Sequence, residues 1–165
     1  MARIAFEVDS PLPPETVLAH LTDFGDRRPD LWPAIDPRTY RVHAVGDGWA
    51  DVTEGSDVLG GIWARERYDW SEPGIVTATL QDSNFWRPGG TWEMRATSGP
   101  AGGSRVNVVR DRRASRPRAA LLEAVLTVAG RQLLARELRR APALGLVEAT
   151  DRRKPDRDAP GRRRP

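Results

Sequence analysis

Four side chains in this sequence have the types needed for proton transfer and charge stabilisation. They are the carboxylates of Glu66 and Asp82, the phenol of Tyr68 and the guanidinium of Arg110. Their spacing says more than their types. Side chains along a strand alternate between its two faces, so the apolar positions of a segment mark the buried side. In Ile62–Trp70, Ile62, Ala64, Glu66, Tyr68 and Trp70 alternate with the mostly charged Trp63, Arg65, Arg67 and Asp69. In Ile75–Asp82 the apolar set is Val76, Ala78 and Leu80, and Asp82 continues it. In Arg105–Arg112 it is Val106 and Val108, with Arg110 next in phase. All four groups are therefore expected to face inward. A buried charge without a partner is costly, so they should pair, meet water or meet a ligand. The pairing expected here is Arg110 with Glu66 or Asp82, forming a polar end to an apolar pocket.

Other chemistries find little support. His20 is out of phase with Val17 and Leu21 on a short helix, and His43 alternates with Val42 and Ala44. Neither has a partner that would make it a base. No HxH, HxxxH or HExxH spacing occurs and there is no cysteine, so neither metal nor disulfide is expected. Gly99–Gly103 (GPAGG) is a turn rather than a phosphate loop, and Ser104 and Ser115 lack a nucleophile-elbow context. No cofactor is expected.

The elements that must position these residues follow from periodicity. Arg3–Asp9 alternates as a first strand. Pro11, Pro13 and Pro14 then break it and open a short helix over Glu15–Thr22, and a second helical turn is expected over Phe24–Leu31. From Tyr40 onward six strands follow as a meander: Tyr40–Val45, Trp49–Glu54, Ile62–Trp70, Ile75–Gln81, Thr91–Thr97 and Arg105–Arg112. Glycine-rich turns punctuate it, the clearest being Gly46-Asp47-Gly48. Arg118–Arg140 is the single long helical pattern. Leu122, Val125, Leu126, Ala129 and Leu133 share its apolar face, and Glu123, Thr127 and Arg131 lie on a polar one. The fold class is α+β, with a seven-stranded antiparallel sheet against a long C-terminal helix.

The order strand, two short helices, six-strand meander and long helix resembles the helix-grip layout of the START-like, or SRPBCC, superfamily. That superfamily includes polyketide cyclase/dehydrase-like and birch-pollen-allergen-like proteins. The local likeness is best in FEVDSPLPPETVLAHLTD (Phe6–Asp23), GGIWARERYDW (Gly60–Trp70), SNFWRPGGTWEMR (Ser83–Arg95) and GGSRVNVVRDRR (Gly102–Arg113). The resemblance implies a deep, largely apolar cavity between the sheet and the last helix. Its walls would include Ala78, Leu80, Trp92, Met94, Val108 and the helix residues Leu122, Val125, Leu126, Ala129 and Leu133. Asn84, Phe85 and Trp86 are placed at the pocket mouth. The expected function is binding of a small hydrophobic or amphipathic molecule, lipid or polyketide-like. The alternative is a cyclase/dehydratase-like enzyme. In it Glu66 or Asp82 would move protons in an aldol cyclisation, dehydration or isomerisation, while Tyr68 or Arg110 stabilises an enolate.

Bulk properties agree with one soluble domain. The chain has 165 residues, 39% hydrophobic and 30% charged, ordinary values for a globular protein. Its pI near 10.1 is misleading. Residues 151–165 carry a net charge of +4 while the whole chain carries +3, so the body is close to neutral. The domain is expected over 1–145, with 146–165 a disordered basic tail that has no large apolar residue beyond its first few positions. A nucleic-acid contact through that tail ranks a distant third, since it lacks stacking groups. MARIAFEVDS has no signal-like apolar run and no stretch is long enough to span a membrane, so a cytoplasmic location is expected. Oligomeric state leaves no mark in the sequence.

Overall fold

The computed structural model of the chain describes residues 2–57, 61–115 and 132. Seven strands form one antiparallel sheet: β1 (Ala2–Ser10), β2 (Arg41–Gly46), β3 (Trp49–Ser56), β4 (Ile62–Asp69), β5 (Ile75–Ser83), β6 (Thr91–Ser98) and β7 (Ser104–Arg112). Their spatial order is β1-β7-β6-β5-β4-β3-β2. Hairpins link β2 through β7, and β1 closes against β7 at the far edge. The chain crosses from one edge to the other through helices α1 (Pro14–Thr22) and α2 (Arg28–Leu31).

Local sequence accounts for these boundaries. Pro14 occupies the first turn of α1, where its missing N–H costs nothing, and the carbonyl of Pro13 accepts from Thr16 and Val17. Val17 and Leu21, one turn apart, are the buried face of that helix, which packs on β5, β6 and β7. Gly46 pairs with Trp49, leaving Asp47-Gly48 as a two-residue loop, and Gly48 takes the positive φ (74°) such a turn needs. Gly103 is set by close approach: a Cβ there would collide with the Ser10 carbonyl oxygen.

The register places side chains in rows across the face covered by α1, here called the inner face. One row runs Ala50, Tyr68, Ala78, Trp92, Arg110, Ile4. The next towards α1 is Val76, Met94, Val108, Phe6, then Ala96, Val106, Val8. On the other side of the first row lie Val52, Glu66 and Leu80. The two rows nearest α1 are thus aliphatic or aromatic, and the charged side chains of the inner face begin with Arg110 in the first row and Glu66 beyond it.

The α+β sheet architecture agrees with the sequence reading, strand for strand. Helix α2 begins at Arg28, later than the expected Phe24. The long helix expected over Arg118–Arg140, with Leu122, Val125, Leu126, Ala129 and Leu133, lies outside the described residues, apart from Gln132, which is helical and exposed. The tail lies outside them as well.

Candidate functional site

Glu66 and Tyr68 are both buried on the inner face, as their phase predicts, at 6% and 2% exposure. They are the centre of a chain of charged groups that crosses the sheet. Arg112, at the end of β7, closes an ion pair on Glu66 Oε1. Trp92 Nε1 donates to Glu66 Oε2 at 3.2 Å, and the Tyr68 hydroxyl lies 3.5 Å from the same oxygen. That hydroxyl has one proton and gives it to Glu54 Oε2 at the shorter distance of 2.8 Å. Glu54 in turn pairs with Arg28 of α2. The Arg28 guanidinium also donates to the carbonyls of Leu21 (2.9 Å) and Asp23 (3.0 Å), and lies 4.2 Å from the centre of the Phe24 ring.

Aromatic rings wall this chain. Tyr68 meets Phe24 and Trp92 edge-on, with centroids 4.7 and 5.4 Å away, and Phe24 stacks on Trp70. Burial, reinforced by the Glu54 and Glu66 carboxylates, pushes the Tyr68 hydroxyl well above its usual range, so it stays protonated and keeps its role as a donor. Burial works against the charge on Arg28, but the adjoining Glu54 carboxylate, together with Tyr68 and Tyr40, more than offsets it and holds the guanidinium ionised. Tyr40, whose hydroxyl donates to the Phe24 carbonyl at 2.9 Å, is pushed up to about 12, chiefly by burial.

Two expectations are corrected. Asp82 is exposed and faces outward, opposite Arg65. The cause is a bulge: pairing steps from Arg65 with Asp82 to Glu66 with Leu80, so Gln81 is an extra residue that inverts the alternation beyond it. The guanidinium that closes on Glu66 is that of Arg112, two residues beyond the expected Arg110. Arg110 sits one row away, half-buried, 4.8 Å from the centre of the Trp86 ring.

The remaining expected residues divide cleanly. Ala78, Leu80, Met94 and Val108 are buried on the inner face, and half-buried Trp92 reaches Glu66. Asn84 is exposed and ties strand ends together, accepting from Trp63 N (3.0 Å) and donating to the Gly61 carbonyl (2.7 Å). Phe85 and Trp86 are half-buried and pack edge-on, 5.0 Å apart. His43 is exposed beside Thr53 at 2.8 Å, and no cluster of metal-ligating side chains occurs among the described residues.

Sequence reasoning missed Glu54, Arg112 and Arg28. The first two had a signal, since Glu54 continues the phase of Ala50 and Val52, and Arg112 that of Val106, Val108 and Arg110. Arg28 had none: a charged residue in a four-residue helix reads as solvated. An open depression of about 350 Å³ is lined by Arg3, Thr77, Thr79, Thr91, Glu93, Val109 and Asp111, which alternate to the opposite face, with Ala78 and Trp92 also at its edge; among the described residues it holds no comparable buried chain of charge.

The arrangement sets fixed charges beside aliphatic and aromatic side chains on one face of the sheet. Known structures share this fold. A START superfamily protein from Mycobacterium smegmatis superposes with a TM-score of 0.71 at 16% identity, covering 90% of this chain and 98% of that one. The Zhui aromatase/cyclase from Streptomyces sp. R1128 gives 0.68 at 16% identity, covering 96% and 99%. Truncated norcoclaurine synthase from Thalictrum flavum gives 0.61 at 10% identity, covering 84% and 91%. No curated protein matches the chain. At such identities these likenesses establish the fold alone. The family model described as polyketide cyclase/dehydrase and lipid transport matches residues 1–144, however, and by that match the chain belongs to this family.

Proposed function

We propose that the protein binds a small hydrophobic or amphipathic molecule, lipid or polyketide-like, against the inner face of its sheet, with the polar part of the molecule at the Glu66–Arg112 end. The observation that carries this reading is the buried chain Arg112–Glu66–Tyr68–Glu54–Arg28 on a face that is otherwise aliphatic and aromatic. Apolar residues of similar volume would fill a solid core at least as stably as buried ion pairs do, so charges kept there call for a role. Fixed polar groups beside apolar walls are the usual make-up of a ligand pocket. On this reading the domain spans 1–145, and the apolar face of the 118–140 segment closes the far side of the pocket. The family to which the chain belongs has lipid transport in its description.

A second reading, a cyclase/dehydratase-like enzyme, is favoured by one feature. Tyr68 stays protonated within 3.5 Å of the Glu66 carboxylate, so a neutral donor and a candidate base stand side by side. The likeness to an aromatase/cyclase is in keeping with that chemistry.

One experiment separates the two. The full chain is incubated with an aromatic polyketide precursor, and bound and free compound are analysed by mass spectrometry. Recovery of unchanged, bound compound supports carriage. Conversion that stops in Glu66→Gln while binding persists supports the enzyme. Absence of binding to both this precursor and a fatty-acid probe such as oleate contradicts the proposal.

A further inference from the structure

Two hydrogen-bond donors at the charged end of the inner face are enclosed with nothing to donate to. The indole Nε1–H of Trp86 and the Nε–H of Arg112 are shut off from solvent, and neither meets an acceptor among the described residues. They belong to groups in direct contact, with the Arg112 guanidinium carbon 4.9 Å from the centre of the Trp86 ring. A buried donor that has left water without finding a partner keeps its full desolvation cost, and such groups are uncommon in native structures.

The loop does not hold Trp86 there by chance. Ser83 Oγ accepts from the backbone N–H groups of Phe85 (3.0 Å) and Trp86 (3.2 Å) while donating to the Trp63 carbonyl at 2.7 Å. Trp86 forms an isolated bridge with Ala114, and Arg87 N donates to the Arg113 carbonyl at 2.9 Å. Ser115 gives both its N–H (2.9 Å) and its hydroxyl (2.8 Å) to the Phe85 carbonyl. These contacts fix the main chain from which the indole reaches over the arginine.

The local charge selects what would satisfy these donors. The guanidiniums of Arg110 and Arg112 both lie over the Trp86 ring, at 4.8 and 4.9 Å. The nearby carboxylate of Glu66 is already engaged by Arg112 and Trp92. A cation offers no acceptor to either donor, and a purely apolar group would leave both unmet. Building on the ligand-binding reading above, we infer that Trp86 Nε1 and Arg112 Nε are specificity-determining donors for an acceptor oxygen on the ligand. The preferred ligand class is then an apolar molecule bearing a carbonyl, phenolate or carboxylate oxygen.

Equilibrium dialysis of the full chain with three probes of one shape tests this: 2-naphthoate, 2-ethylnaphthalene and 2-naphthylmethylammonium. The naphthoate should bind about tenfold more tightly than the hydrocarbon, as one hydrogen bond to a charged group provides, and the ammonium more weakly than either. Trp86→Phe keeps the ring and removes the N–H, and Arg112→Lys keeps the charge and removes the Nε donor. Each should bring the naphthoate preference down to about twofold or less while leaving the hydrocarbon's affinity in place. If Arg112→Lys fails to fold because Glu66 loses its partner, Trp86→Phe decides alone. Equal binding of naphthoate and hydrocarbon by the parent protein, or a preference intact in Trp86→Phe, overturns the inference and leaves the ligand-binding reading standing. Failure of all three probes to bind overturns both.

Discussion

Arg65 and Glu66 are adjacent in β4, and each forms an ion pair, but the two pairs live in different solvents. Arg65 points outward and grips Asp51 of β3 with two parallel hydrogen bonds of 2.8 Å, its side chain 43% exposed. Glu66 points inward and meets Arg112 with both side chains under a tenth exposed. Outside, water screens the charges and would replace either partner. Inside, each charge depends on the other, because nothing else offsets the loss of hydration. One residue of register therefore separates an ornament of the surface from a feature the fold has to accommodate.

Breaking the inner pair should have the largest effect. Glu66→Leu leaves Arg112 buried and unpaired and should cost about 3–5 kcal/mol in urea unfolding, whereas Glu66→Leu with Arg112→Leu should recover most of that loss. Leu80→Ala, in the same cross-strand row, should cost about 2–5 kcal/mol through the cavity it leaves. Tyr68→Phe removes the hydroxyl between the two inner pairs and should cost about 1–3 kcal/mol, detectable as a lower urea midpoint with unchanged slope.

The same tyrosine governs the alkaline limb. Tyr68 and Tyr40 hold their protons in the folded state at pH values where the unfolded chain loses them, because both are raised from 10.0, Tyr40 to about 12. The contribution of both is fully present below pH 10 and falls as the pH rises above it, that of Tyr40 being lost through about 12. Tyr68→Phe with Tyr40→Phe should flatten that decline in a pH series of thermal melts. The smallest effect belongs to the outer pair. Arg65→Ala should cost no more than about 1 kcal/mol, and raising the salt should shrink even that, while the Glu66 variants should respond little.

How much of this was legible in the sequence depends on how long each alternation ran undisturbed. Glu66 and Tyr68 were readable because β4 keeps strict alternation from Ile62 to Asp69. Asp82 was misplaced because the bulge at Gln81 arises from pairing with β4, and nothing in Gln-Asp-Ser distinguishes it from continued strand. Arg112 needed only the same phase carried two residues further. Arg28 was beyond reach: its burial depends on α2 folding over β3 and β4, so its partner Glu54 lies 26 residues away and no local pattern joins them. The six-strand meander and its hairpins, which are local, came through intact, whereas the chain of charge, which is assembled across three strands and a helix, came through only in part.

The central claim, that ligand is held on the inner face at its charged end, meets its most direct test in ¹H–¹⁵N correlation spectra of the full chain titrated with 2-naphthoate. Indole and arginine Nε–H groups give their own signals in such spectra. The largest shifts are expected at Trp86 and Trp92 Nε1 and Arg112 Nε, with backbone shifts along Leu80, Met94 and Val108. Shifts confined instead to Thr77, Thr79, Thr91 and Glu93, which line the outer depression, would contradict it.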